Sequence, residues 1–235
     1  MKNVLTQLRQ ELYDQGDEKT RKAIERFFKE EVRTYGLKSA QVKVLTKKYF
    51  KQLDPKNKII IFELCEELWQ SGMFEESIIA CDWSYSLRKQ FEPADFLVFE
   101  SWVQGYISNW ASCDTFCNRT IGEFLIKFPG FVNEIRRWAL SENRWVRRAA
   151  AVSLIVPARK GIFLPEIFEI AETLLHDQDD MVQKGYGWLL KSASKPCPNE
   201  VFEFVMAHNK TMPRTALRYA IEKLDYSSKN MAMEK

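Results

Sequence analysis

Trp145-Val146-Arg147-Arg148-Ala149-Ala150-Ala151 and, 36 residues later, Met181-Val182-Gln183-Lys184-Gly185-Tyr186-Gly187 decide the fold class. Each run follows an acid- or amide-rich start, Ser141-Glu142-Asn143 and Asp177-Gln178-Asp179-Asp180. Such side chains accept from the unpaired N–H groups that open a helix. Each run also sets small residues where one helix would press on another. Leu154 and Leu190 then fall at equivalent places, and Pro213-Arg214-Thr215-Ala216-Leu217-Arg218 reads as a weaker third copy. One helical unit cannot bury its apolar face alone, so repetition at a fixed period means stacked units sharing a continuous core.

Working outward, the periodicity is helical nearly throughout. Leu5, Leu8 and Leu12 share one helix face. Ile59, Phe62, Leu64, Leu68 and Trp69 predict a helix ending near Gly72, and Phe96, Phe99, Val103 and Ile107 predict another. No stretch keeps a period of two, so no strands are expected. Gly36, Pro55, Gly72, Pro93, Pro129, Pro157, Pro165, Pro196 and Pro213 are spaced to punctuate ordinary helices. The expectation is an all-α chain: one repeat domain over 1–226, then a polar, disordered tail over 227–235.

Function classes narrow next. No apolar run is long enough to span a bilayer, and the N-terminus lacks a signal-peptide core, so a cytoplasmic protein without membrane contact is expected. Cys65, Cys81, Cys113, Cys117 and Cys197 fit a reducing compartment as buried thiols. Cys113 and Cys117 lie one helical turn apart but lack a partner segment, so neither a metal site nor a cofactor is expected. Net charge is only +3, yet it is unevenly distributed. Glu92 to Asn118 holds four acids and no Lys or Arg, whereas Arg136 to Lys160 holds seven bases against Glu142 alone. The basic run reads equally as phosphate contacts or as a solvated helix face.

Ser108-Asn109-Trp110-Ala111-Ser112-Cys113-Asp114 is the stretch that could carry chemistry. On a helix, Trp110 and Asp114 share a face. An aromatic plane beside a carboxylate suits a cationic ligand. Spacing alone leaves the plainer alternative open, with Trp110 in the core and Asp114 as a surface acid or cap.

Three motifs together carry a resemblance: Asn109 to Asp114; Asn143-Arg144-Trp145-Val146-Arg147-Arg148-Ala149-Ala150; and Val182-Gln183-Lys184-Gly185-Tyr186-Gly187-Trp188. In order and interval the chain resembles the AlkD family of DNA alkylation repair proteins over most of its length. The resemblance implies a right-handed superhelical α-solenoid of HEAT-like repeats with a concave DNA-binding face. It further implies a monofunctional DNA glycosylase that excises N3- and N7-alkylated purines from duplex DNA, acting as a monomer. The family's tryptophan–aspartate pair maps onto Trp110 and Asp114, its second tryptophan onto Trp188 and an intervening arginine onto Arg148. Arg147, Lys184, Lys38 and Phe27 are expected at the nucleic-acid interface. An alkylated purine is already cationic and leaves readily, so the resemblance implies that Asp114 stabilises the oxocarbenium-like sugar and orients water. The chain departs from the family at Ala111, where an acid occurs, at Phe27 for tyrosine, at Lys38 for an uncharged polar residue and at Ala40 for proline. Two other classes stay in view: a binder of distorted DNA that does not cut, and a protein-interaction scaffold.

Overall fold

A computed structural model describes residues 2–54 and 57–234. Pro55, one of the expected breakers, lies outside them. The described residues are helical with no strand, as the periodicity predicts. Their contacts gather into two compact units, Met1–Phe116 and Cys117–Lys235.

The first unit contains α1 (Lys2–Gln15), α2 (Glu18–Phe27), α3 (Ser39–Phe50), α4 (Lys58–Gln70), α5 (Phe74–Ser86), α6 (Asp95–Gly105) and α7 (Trp110–Phe116). Leu5, Leu8 and Leu12 are buried, so the apolar stripe of α1 is its core face. α5 lies at the centre, packing on α3, α4 and α7. An aromatic cluster of Trp69, Phe99, Trp102 and Phe116 fills the space among α4, α6 and α7, with ring centroids 5.7–6.3 Å apart. Aromatic pairs at such spacing add to the hydrophobic gain of burying their faces. Ile59 departs from expectation. It sits in the first turn of α4 and is 69% exposed, because the buried face of that helix runs through Ile61, Phe62, Leu64, Cys65 and Leu68.

Glu75 and Glu76, in the first turn of α5, are fully buried in this unit. Glu75 accepts from the Thr34 hydroxyl at 2.6 Å and from the backbone N–H groups of Tyr35, Gly36 and Leu37 at 2.9–3.0 Å. Glu76 accepts from the Tyr35 hydroxyl at 2.7 Å and from the Arg9 guanidinium at 3.0 Å. Burial, then the Glu76 carboxylate, push the Tyr35 hydroxyl pKa far up. Buried carboxylates persist only where several donors satisfy them, and these two pin the 34–37 turn to α5. Gly36 is needed in that turn. Its φ is +89°, and a Cβ would stand 2.5 Å from the Asp17 carbonyl.

The second unit opens with a π-helical segment, Cys117–Ile121. It continues with α8 (Gly122–Lys127), α9 (Val132–Trp138), α10 (Arg144–Ser153), α11 (Ile155–Arg159), α12 (Leu164–Thr173), α13 (Asp180–Ala193), α14 (Pro198–His208), α15 (Arg214–Ala220) and α16 (Tyr226–Met233). The repeated motifs are α10, α13 and α15, and they pack in that order, α10 on α13 and α13 on α15. Asn143 and Asp179 cap α10 and α13 as the sequence suggests, accepting from Trp145 N at 2.9 Å and Met181 N at 2.8 Å. Ala149, Ala150, Ala151, Gly185 and Gly187 are all buried, so the small residues do mark helix contacts.

Two details of this unit correct the sequence reading. The polar run after Tyr226, expected as a tail, is helical through Met233. Asp225 caps it by accepting from Ser228 N at 3.0 Å, and Ala232 is buried as α16 packs on α14. Cys197 is half-exposed at the start of α14, whereas the other four thiols are buried. No helix among the described residues is long and apolar enough to cross a membrane.

Candidate functional site

Trp110 and Asp114 both lie on α7, and the local sequence explains why α7 starts there. Asn109 Oδ1 accepts from Ser112 N at 3.0 Å, closing a cap one residue before Trp110. The helix is then oriented by its apolar side. Ser112, Cys113 and Phe116 are buried, Cys113 and Phe116 completely. Trp110, Ala111, Asp114 and Thr115 occupy the other side and are half-buried. Trp110 is therefore not a core tryptophan, and an indole and a carboxylate one turn apart are presented together. Trp110 is steadied by Phe27 and Phe28, with ring centroids at 5.7 and 5.6 Å, and Phe28 in turn meets Phe74 at 5.3 Å. Phe27 is 70% exposed at the end of α2, beside the indole. Lys38 is exposed immediately before α3 and follows the turn held by Glu75.

The remaining sequence-predicted residues belong to the second unit. Arg148 is buried on α10 and donates to the Met181 carbonyl at the start of α13. Gly185 faces it, and a Cβ there would meet the Arg148 side chain at an ordinary contact distance of 3.4 Å. Trp188 is half-buried on α13, one turn beyond Lys184, whose ammonium pairs with Asp180 at 3.1 Å. Arg147 is held by its neighbours: it pairs with Asp177 at 2.5 Å and donates to the carbonyls of Ser141 and Glu142 at 2.9 Å. It braces the turn before α10 against the turn before α13.

The basic run that contains these arginines is largely paired. Arg136 meets Glu169, Arg137 meets Glu134, Arg144 meets Asp179 at 2.9 Å and Arg147 meets Asp177. All four acids lie outside the 136–160 run, three of them at positions 169–179. Sequence reasoning also missed Glu75 and Glu76. Two adjacent acids opening a helix look like ordinary exposed first-turn residues, and only partners about 40 residues away reveal their burial. Among the described residues no group of three His, Cys, Asp or Glu side chains is placed to hold a metal ion.

The family model described as DNA alkylation repair enzyme matches residues 8–224. The chain belongs to that family. Family membership supports a role in DNA repair and DNA as the partner. A solved structure described as a predicted DNA alkylation repair enzyme from Enterococcus faecalis has the same fold, with a TM-score of 0.79 and 18% sequence identity. The match covers 90% of this chain and 98% of that one. A search of curated proteins found no match.

Proposed function

We propose that this member of the family is a monofunctional DNA glycosylase that hydrolyses the N-glycosidic bond of cationic N3- and N7-alkylated purines in duplex DNA. The observation that carries the reading is the presentation of Trp110 and Asp114 together on the outward side of α7, with Trp110 backed by Phe27 and Phe28. A protein-interaction scaffold has no need of that pair.

The chemistry follows from the residue types. Alkylation at N3 or N7 makes the base a cation that departs as a neutral molecule, so no strong general acid is required. Positive charge then develops on the deoxyribose. The Asp114 carboxylate, placed at that charge, stabilises it and orients the attacking water. The indole of Trp110 offers its electron-rich face to the same cationic sugar. In the second unit we assign Trp188 to the sugar–phosphate backbone and Arg148 to a phosphate. The burial of Arg148 makes it a fixed cation, which orients a phosphate at less entropic cost than a flexible surface side chain. Phe27, Lys38 and Lys184 are assigned to further DNA contacts. Arg147, already engaged with Asp177, is assigned to holding Arg148's helix in place rather than to a phosphate.

The test is single-turnover release of 7-methylguanine and 3-methyladenine from methylated duplex DNA, wild type beside Asp114→Asn. Loss of one such electrostatic stabiliser should lower the rate by about 10²–10³-fold while duplex binding persists. Wild-type protein that binds the duplex and releases neither base would overturn the reading and leave a DNA binder that does not cut.

A further inference from the structure

A cavity of about 290 Å³ lies within the first unit, behind the residue that caps α7. Its walls come from residues 31–33, the end of α4 at Trp69, the 72–74 turn, Ser77 on α5, and Tyr106, Ser108, Asn109 and Ser112 around the start of α7. The size is close to the lower end of small-molecule sites, about 300–1,000 Å³. The three aromatic residues on its walls are Trp69, Phe74 and Tyr106, and the Trp69 and Tyr106 rings are nearly parallel, 10° apart.

Ser77, Tyr106 and Ser112 on the lining have protein partners, whereas two donors do not. Asn109 is 95% buried. Its Oδ1 is engaged in the α7 cap, but its amide nitrogen donates to no group among the described residues. The buried indole N–H of Trp69 has no acceptor either. Buried donors are rarely left unsatisfied without a reason. At the mouth, Arg33 has its backbone fixed, with its carbonyl accepting from Phe74 N at 2.8 Å, while its guanidinium has no hydrogen bond or ion pair among the described residues. Glu31 likewise has no cationic partner there.

We propose that this cavity is a subsite for a planar heterocyclic base of purine size, the base set free by the cleavage proposed above. The match is chemical. A purine has aromatic faces for the walls, ring nitrogens that accept from Asn109 and Arg33, and an exocyclic amine that donates to Glu31. A phosphate would meet donors together with the repulsion of Glu31. A purely apolar group would leave the Asn109 donor unsatisfied. The identity of the base rests on the glycosylase reading, whereas its binding can be measured without DNA.

The experiment is calorimetric titration of the full chain with free 3-methyladenine, with inorganic phosphate as the counter-probe. Wild type, Arg33→Ala and Ser77→Phe are compared. Ser77 lines the cavity, and a phenyl ring there fills it. Arg33 is exposed, so its replacement leaves the fold intact if Ser77→Phe fails to fold. Saturable binding of the base is expected, weakened about tenfold in Arg33→Ala and abolished in Ser77→Phe. Inhibition of turnover by added 3-methyladenine should be relieved in Arg33→Ala. No saturable binding, equal binding in wild type and Arg33→Ala, or displacement of the base by phosphate would overturn the subsite. If wild type still excised bases in that event, the glycosylase reading would stand. Base binding without any excision would uphold the heterocycle site and remove the glycosylase reading.

Discussion

Replacing Gly187 with alanine tests the packing that presents Trp188. Gly187 is buried on α13, facing α15. A Cβ there would stand 2.7 Å from Tyr219 Cβ, 2.9 Å from the Ala216 carbonyl oxygen and 3.1 Å from Ala216 Cα. None of these atoms is the end of a flexible side chain, so the helices themselves must separate. Overpacking of this kind costs about 1–3 kcal/mol, and rigid surroundings put this site toward the upper value. Alanine recovers about 1 kcal/mol through its better helix propensity. The net loss is about 1–2 kcal/mol. At about 2–4 °C per kcal/mol for a chain of this size, Tm should fall by about 2–8 °C. Two other glycines serve as controls in the same calorimetric or circular-dichroism melts. Gly105 has open space around a Cβ, so Gly105→Ala should raise Tm slightly. Gly185→Ala meets Arg148 at an ordinary contact distance of 3.4 Å and should be close to neutral. A Tm for Gly187→Ala equal to or above wild type, beside a raised Tm for Gly105→Ala, would refute the close approach of α13 and α15.

Glu75→Ala should destabilise the protein by more than about 3 kcal/mol, because three backbone N–H groups and a hydroxyl lose a shared buried acceptor; urea unfolding measures it, and a loss under about 1 kcal/mol would mean that the 34–37 turn is held by something else. The Glu11 carboxyl is held below its ordinary value of 4.5, first by the Lys48 ammonium and then by the Tyr49 hydroxyl. Its stabilisation is therefore complete above that ordinary value and is lost as pH falls through the lowered one. The Tm gap between wild type and Lys48→Ala should accordingly be present at neutral pH and close on acidification; a gap that is constant with pH would assign the effect of Lys48 to packing.

Local information in the sequence determined the helices themselves. An α-helix closes its hydrogen bonds within four residues, so periodic leucines in α1 and the caps at Asn143 and Asp179 can be read without knowing any distant partner. The 36-residue repeat was legible for the same reason, and so was the pairing of Trp110 with Asp114 one turn later. The cap at Asp225 carries the same local signal, and the polar composition after Tyr226 masked it. Family membership, matched over residues 8–224, agrees with the motifs that the sequence displayed.

Tertiary structure decided which face of each helix is buried and which charges remain available. Spacing could not place Trp110 outside the core; the burial of Ser112, Cys113 and Phe116 against the first unit did. The charge imbalance over 136–160 left phosphate contacts and a solvated helix face equally open, and acids at 134 and 169–179 engage four of its arginines. Glu75 and Glu76 became structural, and Asn109 and Trp69 became walls of one cavity, only when segments tens of residues apart came together. Helical hydrogen bonding is local in the chain, whereas burial and ion pairing depend on neighbours that the local sequence does not specify.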